Sequence, residues 1–253
     1  MENKKITIDE IDQLMSNAVT EAFKELQVTT SARLIKCWID YLDSHIDAAK
    51  QYKHQLIKAN IEKDADGLLY FQCILSAVRS LFEVIFFLKK EENQKSWHSL
   101  IDSQDYLQIC TAFVRKYPRL KETVGNSIDL IFETSKKYED TLFPKQSVFN
   151  SPGLIETIGE CSVCGKEFYE CDHVEGEIYI GKYCLRVNRE IVDYNHSAIV
   201  TKPRDKRCII TTRHDKDGYK IDVFSRERIE GQDEPAPNEY TSILFNSSFI
   251  DLN

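Results

Sequence analysis

Five potential metal ligands crowd into the 24 positions from Cys161 to Cys184: Cys161, Cys164, Cys171, His173 and Cys184. No other stretch limits the fold so tightly. Cys161-x-x-Cys164 followed by Gly165 has the form of a zinc knuckle. Two intervening residues let both thiolates converge on one ion, and the glycine can take the positive-φ turn after them. A chain that gathers such donors must wrap a small, turn-rich module around one point. Zinc takes four nitrogen or sulfur ligands in a tetrahedron, so five candidates compete for four places. Cys171 and His173 are two apart and would share one side of an extended strand. The first set is therefore Cys161, Cys164, Cys171 and His173. Cys184, returning through a hairpin in "GEIYIGKYC", is the substitute for Cys171 or His173. Thiolates with an imidazole favour zinc over iron. A closed four-ligand set has no open position for water, so the expected Zn2+ is structural.

Disulfide and redox uses of these cysteines compete with metal binding. A chain of 253 residues, 42% hydrophobic and 29% charged, can bury a core without covalent staples. Its first residues, "MENKKITIDE", lack the apolar core of a signal peptide, so the expected location is cytoplasmic. In that reducing compartment clustered cysteines serve metals or reactivity more often than disulfides.

Upstream of the cluster the periodicity is helical. Thr7 and Glu10 have capping-box spacing, and Ile8, Ile11, Leu14, Met15, Ala18, Val19, Ala22, Phe23 and Leu26 succeed them on one face. "TTS" at 29–31 caps a second, long helix. A third spans about 64–91, a fourth 96–116 and a fifth 119–143, with Pro118 and Pro144 as punctuation. Within the third, "LLYFQCILSAVRSLFEVIFFL" is long enough to cross a bilayer. Arg79 and Glu83, four apart near its middle, argue instead for the central helix of a bundle, so a membrane is not an expected partner. Trp38 and Trp97 fall on apolar helix faces and read as core.

Residues 144–158 read as a linker, with "NSPG" as a turn signal. Beyond them come short runs rich in Ile, Val, Tyr and Thr: "EIYI", "EIVDY", "SAIVT", "KRCIITTR" and "YKIDVF". "TTRHDKDGYKIDVF" reads as a hairpin turning at Asp215–Gly218. The expected fold class is thus α+β: an N-terminal α-helical bundle (1–143), a linker (144–158), a small zinc-stabilised β-rich module (159–225) and an acidic C-terminal tail (226–253). In that tail "RERIEGQDEPAPNEY" is polar and loose, while "TSILFNSSFI" is apolar enough to dock back.

The cluster "CSVCGKEFYECDHVEGEIYIGKYC" and the later segment "EIVDYNHSAIVTKPRDKRCIIT" resemble a Cys/His module of uncharacterised bacterial and phage-associated proteins. The shared pattern is CSxCG, CxH, GxxYxGxxC and a V-x-x-P-x-x-x-R-C segment, over roughly 159–211. "SWHSLIDSQDYL" at 96–107 is similar to helical regions that precede this module. The resemblance implies a metal-binding β-rich module, a setting in phage biology or phage defence, and no established reaction.

Charge narrows the partners. The whole chain carries −8 while 182–220 carries +5, so the rest carries −13. Any polyanion would dock locally. Arg186, Arg189, Lys202, Arg204, Lys206, Arg207 and Arg213 are the candidate phosphate contacts, with Tyr183 and Tyr194 as stacking surfaces. For acid–base work the candidates are His196 with Asp193 and His214 with Asp215. Glu175 and Glu177 are candidate bases beside the metal. The helical half lacks the Arg/His pair of HEPN ribonucleases, and the chain has no P-loop, GxGxxG or GxSxG. The leading expectation is a non-enzymatic adaptor that docks a protein partner or a second copy of itself. The alternatives are a metal-dependent hydrolase or nuclease using His173 or His196 with Glu175 and Glu177, and a sequence-tolerant nucleic-acid binder working through 182–220.

Overall fold

The computed structural model describes residues 7–145, 148–229, 241–242 and 252, and their side chains except those of 123, 124, 241 and 242. Five helices come first: α1 (Ile8–Leu26), α2 (Ala32–Lys58), α3 (Glu62–Leu88), α4 (Asn93–Lys116) and α5 (Lys121–Leu142). Each lies within a few residues of the span read from the sequence, except that α2, expected over 32–63, stops at Lys58, where Asn60 at φ +56° breaks the helix before α3. The capping box forms as expected: the Glu10 amide donates to Thr7 Oγ1, and the Thr7 amide donates to Glu10 Oε2. Ser31 does stand at the start of α2, but its side chain makes no capping bond.

The helices differ in how much of their surface is covered. α1 buries Ile11, Met15, Ala18, Val19, Ala22 and Leu26, and α2 buries Ile35, Ile39, Leu42, Ile46 and Ala49, one stripe in each case. α3 packs against α1, α2 and α4 and is buried on nearly every face, with Leu68, Leu69, Ile74, Leu75, Val78, Leu81 and Phe82 all essentially inaccessible. It is the one helix among the described residues that is long and apolar enough to cross a membrane, and it is mostly buried in the protein. Arg79 pairs with Glu83 at 3.0 Å, as its spacing suggests, and also with Asp43 of α2. Trp97 is core, whereas Trp38 is only partly buried and stacks on Phe82.

The strands come next: β1 (Phe149–Glu156), β2 (Glu160–Cys161), β3 (Ile178–Tyr179), β4 (Lys182–Tyr183), β5 (Arg186–Val187), β6 (Ile191–Val200), β7 (Ile210–His214), β8 (Lys220–Asp222) and β9 (Thr241–Ser242). β1 is a correction to the expected linker at 144–158. It pairs antiparallel with β6 from Phe149↔Val200 to Glu156↔Ile191. Pro152 and Gly153, which read as a turn, lie inside the strand. Proline is tolerated because β1 is an edge strand and needs no donor on its open side. Gly153 lets the exposed His196 ring lie over the strand: a Cβ there would lie 2.5 Å from the ring, which would have to swing aside. "EIVDY" and "SAIVT", read as two runs, merge into the single strand β6.

The β1–β6 ribbon continues past Thr157, whose amide donates to Glu190 O, into the β2–β5 pair. β3 and β4 form a tight hairpin, and the β7–β8 hairpin turns at Asp215–Gly218 as expected. The expected tail lies largely outside the described residues. Of those inside, Arg228 meets Asp215 and Asp217 at 2.8 Å each, and Thr241–Ser242 pair with β7. Leu252 packs on the core and its carbonyl accepts from Lys53 Nζ at 2.6 Å.

The strand-rich region is clamped to the bundle at two ends. At one end Asp66 of α3, fully buried, accepts from the Gly181 amide (2.5 Å), Lys116 Nζ (2.6 Å) and Tyr117 OH (2.8 Å). Gly181 has φ +68°, and a Cβ there would lie 3.1 Å from Ala65, so only glycine lets the β3–β4 turn sit this close to α3. At the other end Arg207, 5% exposed, pairs with Asp102 and with Asp105 (2.8 Å) of α4, and Trp97 Nε1 donates to Lys206 O at 2.9 Å. Phe149, Ile178 and Ile209 join the helical core.

Candidate metal centre

The metal candidates are set by two turns and a hairpin. The Cys161 amide donates to Lys166 O and the Gly165 amide to Cys161 O, both at 2.8 Å, and Gly165 has φ +73°. This closes the knuckle and brings the two thiols toward one point, Cys161 buried and Cys164 exposed. A 3₁₀ turn at Phe168–Glu170 then delivers Cys171 and His173. The donor atoms of Cys161, Cys164, Cys171 and His173 all lie within 4.8 Å of one another, a set that could hold a metal ion. The His173 ring stands edge-on to Tyr179, centroids 4.5 Å apart, which fixes its orientation.

Cys184 is the fifth donor. Its amide donates to Glu177 O at 2.8 Å, and the hairpin β3–β4 folds it back beneath the knuckle, where it is fully buried. Its Sγ lies 3.8 Å from Cys161 Sγ, and His173 Nδ1 lies 3.7 Å from the same sulfur. Around a zinc ion with bonds of about 2.3 Å to sulfur, a tetrahedral S···S edge is about 3.8 Å. The donor set and these edges fit a tetrahedral thiophilic ion. Cys161 stands at one end of both edges, and the four donors that all lie within 4.8 Å of one another do not include Cys184.

Protonation differs among the thiols. Burial pushes Cys161 up, but hydrogen bonds from the backbone of Cys164 and Val163 and from the Cys171 and Cys164 side chains outweigh it and bring the thiol down to about 6. Cys184 is pushed up to about 12 by burial, by its hydrogen bond to Cys161 and by the charge there. Cys171 is raised for the same reasons, burial first. Crowded thiolates repel one another, and a bound dication would relieve that repulsion.

The other chemical candidates are dispersed. Glu175 pairs with Arg186 at 3.1 Å and Glu177 with Arg115 at 2.8 Å, so both carboxylates beside the cluster are engaged by cations. His196 lies on β6 against Gly153, away from the knuckle in the ribbon. His214 lies on β7, and the carboxylate of its neighbour Asp215 is taken by the Asp217 and Tyr219 amides and by Arg228. Asp193 accepts from the next amide, Tyr194 N.

The seven basic candidates divide. Arg186 and Arg189 pair with Glu175 and Glu156, Lys206 with Glu139 at 2.9 Å, and Arg207 is buried against α4. Arg207 is thus a clamp and not a surface contact, a correction forced by two aspartates that the sequence does not place beside it. Lys202, Arg204 and Arg213 remain exposed. Sequence reasoning did not single out Asp66, Asp102, Asp105, Arg115 or Lys116. The only available signal was the i, i+3 spacing of Asp102 and Asp105, which sets both on one face of α4. Between α4, α5 and the Cys/His region runs a groove of about 450 Å³, lined in part by Leu107, Arg115, Ile128, Phe132 and Tyr183.

No family model, no curated protein and no solved structure matches this chain.

Proposed function

We propose that the protein is a zinc-stabilised adaptor: the helical bundle is the scaffold, and the Cys/His module is an interaction head held in shape by a structural Zn2+. The observation that carries this reading is the convergence of three thiols and an imidazole within 4.8 Å in a region whose strands are mostly two residues long. So short a set of strands has little burial of its own to hold it, and ligation supplies the missing constraint. Zinc is the ion this donor set prefers. A structural role is favoured over a hydrolytic one because thiol and imidazole donors suffice to fill four places and Glu175 and Glu177 are already paired. A protein partner is favoured over nucleic acid because acids neutralise four of the seven basic candidates. The likeness to the bacterial and phage-associated module belongs to the same proposal.

Elemental mass spectrometry on the purified chain tests it. About one zinc per chain, lost in Cys161→Ser together with the order of the module, is the expected result. A chain that holds no metal, or a Cys161→Ser variant that keeps both metal and fold, overturns it.

A further inference from the structure

The β1–β6 ribbon has two strands and stands with β6 exposed on both faces from Ile191 through Ser197. Ile155, Ile191, Val192, Tyr194 and Ile199 are each about half or more exposed. A two-stranded ribbon alone in water is marginal. Its two outer edges are unlike. The β1 edge carries Pro152, and at its start it is met by the 208–209 segment, where the Asn150 amide donates to Cys208 O. The β6 edge is ten residues long, has no proline, lysine or arginine, and pairs with no other strand among the described residues. Register shifts beside Val192 and Asn195 bend it without covering it. Proteins normally blunt such an edge with lysine or proline.

Charge along β6 points to the occupant. Glu190 and Asp193 stand at its N-terminal end, and Lys202 and Arg204 just beyond its C-terminal end; all four are exposed, and none is in an ion pair with a described residue. Laid antiparallel against a copy of itself, the strand brings the acidic end of one molecule to the basic end of the other, twice, about a two-fold axis. A parallel arrangement would set like charges together.

We infer that two copies of this chain associate through β6, edge to edge and antiparallel, forming one continuous four-stranded sheet β1–β6–β6–β1 across the two-fold. The contact is isologous, each strand completing the other's open hydrogen bonds. It would supply the partner interface of the adaptor reading, but it does not depend on the metal being zinc.

Sedimentation equilibrium of the full chain over a range of concentrations, with metal content measured on the same samples, is the test. The expected result is a dimer. Reversing Lys202 and Arg204 to Glu should weaken it at least about tenfold, since each strand end then meets like charge. Adding Glu190→Lys and Asp193→Lys to that variant should restore it. Val192→Lys, a charge set into the apolar edge strand, should give monomers with unchanged metal content. A chain that is monomeric at every concentration, or a dimer indifferent to both charge reversal and Val192→Lys, overturns the inference while leaving the metal reading intact. Loss of metal with an intact dimer does the reverse.

Discussion

The bundle and the strand-rich region solve the same problem by different means. The bundle hides an apolar helix, α3, inside its neighbours, and dozens of small contacts share the work. The Cys/His region hides little of its own: Cys161, Ile178 and Cys184 are its fully covered side chains, two clamps tie it to the bundle, and its Cys/His cluster could bind a metal. Distributed burial spreads a single loss over the whole bundle. A structure pinned at a few points yields locally, and each pin can be pulled separately.

On the proposed zinc reading, stripping the metal should produce the largest contrast. Structural zinc supplies an apparent ~10–16 kcal/mol to small zinc modules. A strong chelator should therefore expose 159–190 to protease while helical circular dichroism stays nearly unchanged; simultaneous loss of both would mean the bundle also leans on the ion. Next comes the clamp. Arg207→Ala leaves the partly buried Asp102 and Asp105 without their cation, at a cost of about 3 kcal/mol in chemical denaturation. Proteolysis near 201–214 should rise with it if the clamp tethers the strands. Leu75→Ala in α3 should cost about 2–5 kcal/mol and lower the unfolding midpoint of the whole chain without freeing metal.

The smallest expected effect is a pH slope. Burial pushes His98 of α4 down from its ordinary value and the Arg207 charge adds to this, while Asp102 and Asp205 pull the other way. A histidine depressed in the folded state binds its proton more readily when unfolded, so its contribution is complete above the ordinary imidazole pKa and is lost as pH falls below it. His98→Gln should flatten the stability profile between about pH 7 and 5. An unchanged profile would show that the ring is not held neutral.

The same contrast explains what could be read from the sequence. Helices announce themselves locally: Thr7 and Glu10 are three apart, and the stripe Ile11, Met15, Ala18, Ala22 needs no knowledge of a partner. The metal donors were legible for the same reason, because four of them lie within thirteen positions. The first-choice set, Cys161, Cys164, Cys171 and His173, is the one whose donors lie together; the nearness of Cys184 to Cys161 was not legible, since it arrives through a hairpin whose depth no spacing rule gives. β1 reads as linker because Pro152 and Gly153 describe a turn when taken alone. Only β6, paired from the far side of the cluster, makes them a strand. Arg207 falls into a basic surface patch on sequence alone because a sequence shows its charge and not the two aspartates that meet it.

The path of the ribbon bears on how the chain folds. β1 and β6 are separated by the whole stretch 157–190, and the ladder between them cannot begin at its inner end until that stretch has doubled back. Closing so long a loop costs entropy before any rung forms. Gathering the donors sets Cys161 beside Cys184 and leaves only a few residues on either side to close. On the proposed zinc reading, capture of the ion comes early, and the ribbon then zippers from the cluster outward at a rate set by how soon the ion is found.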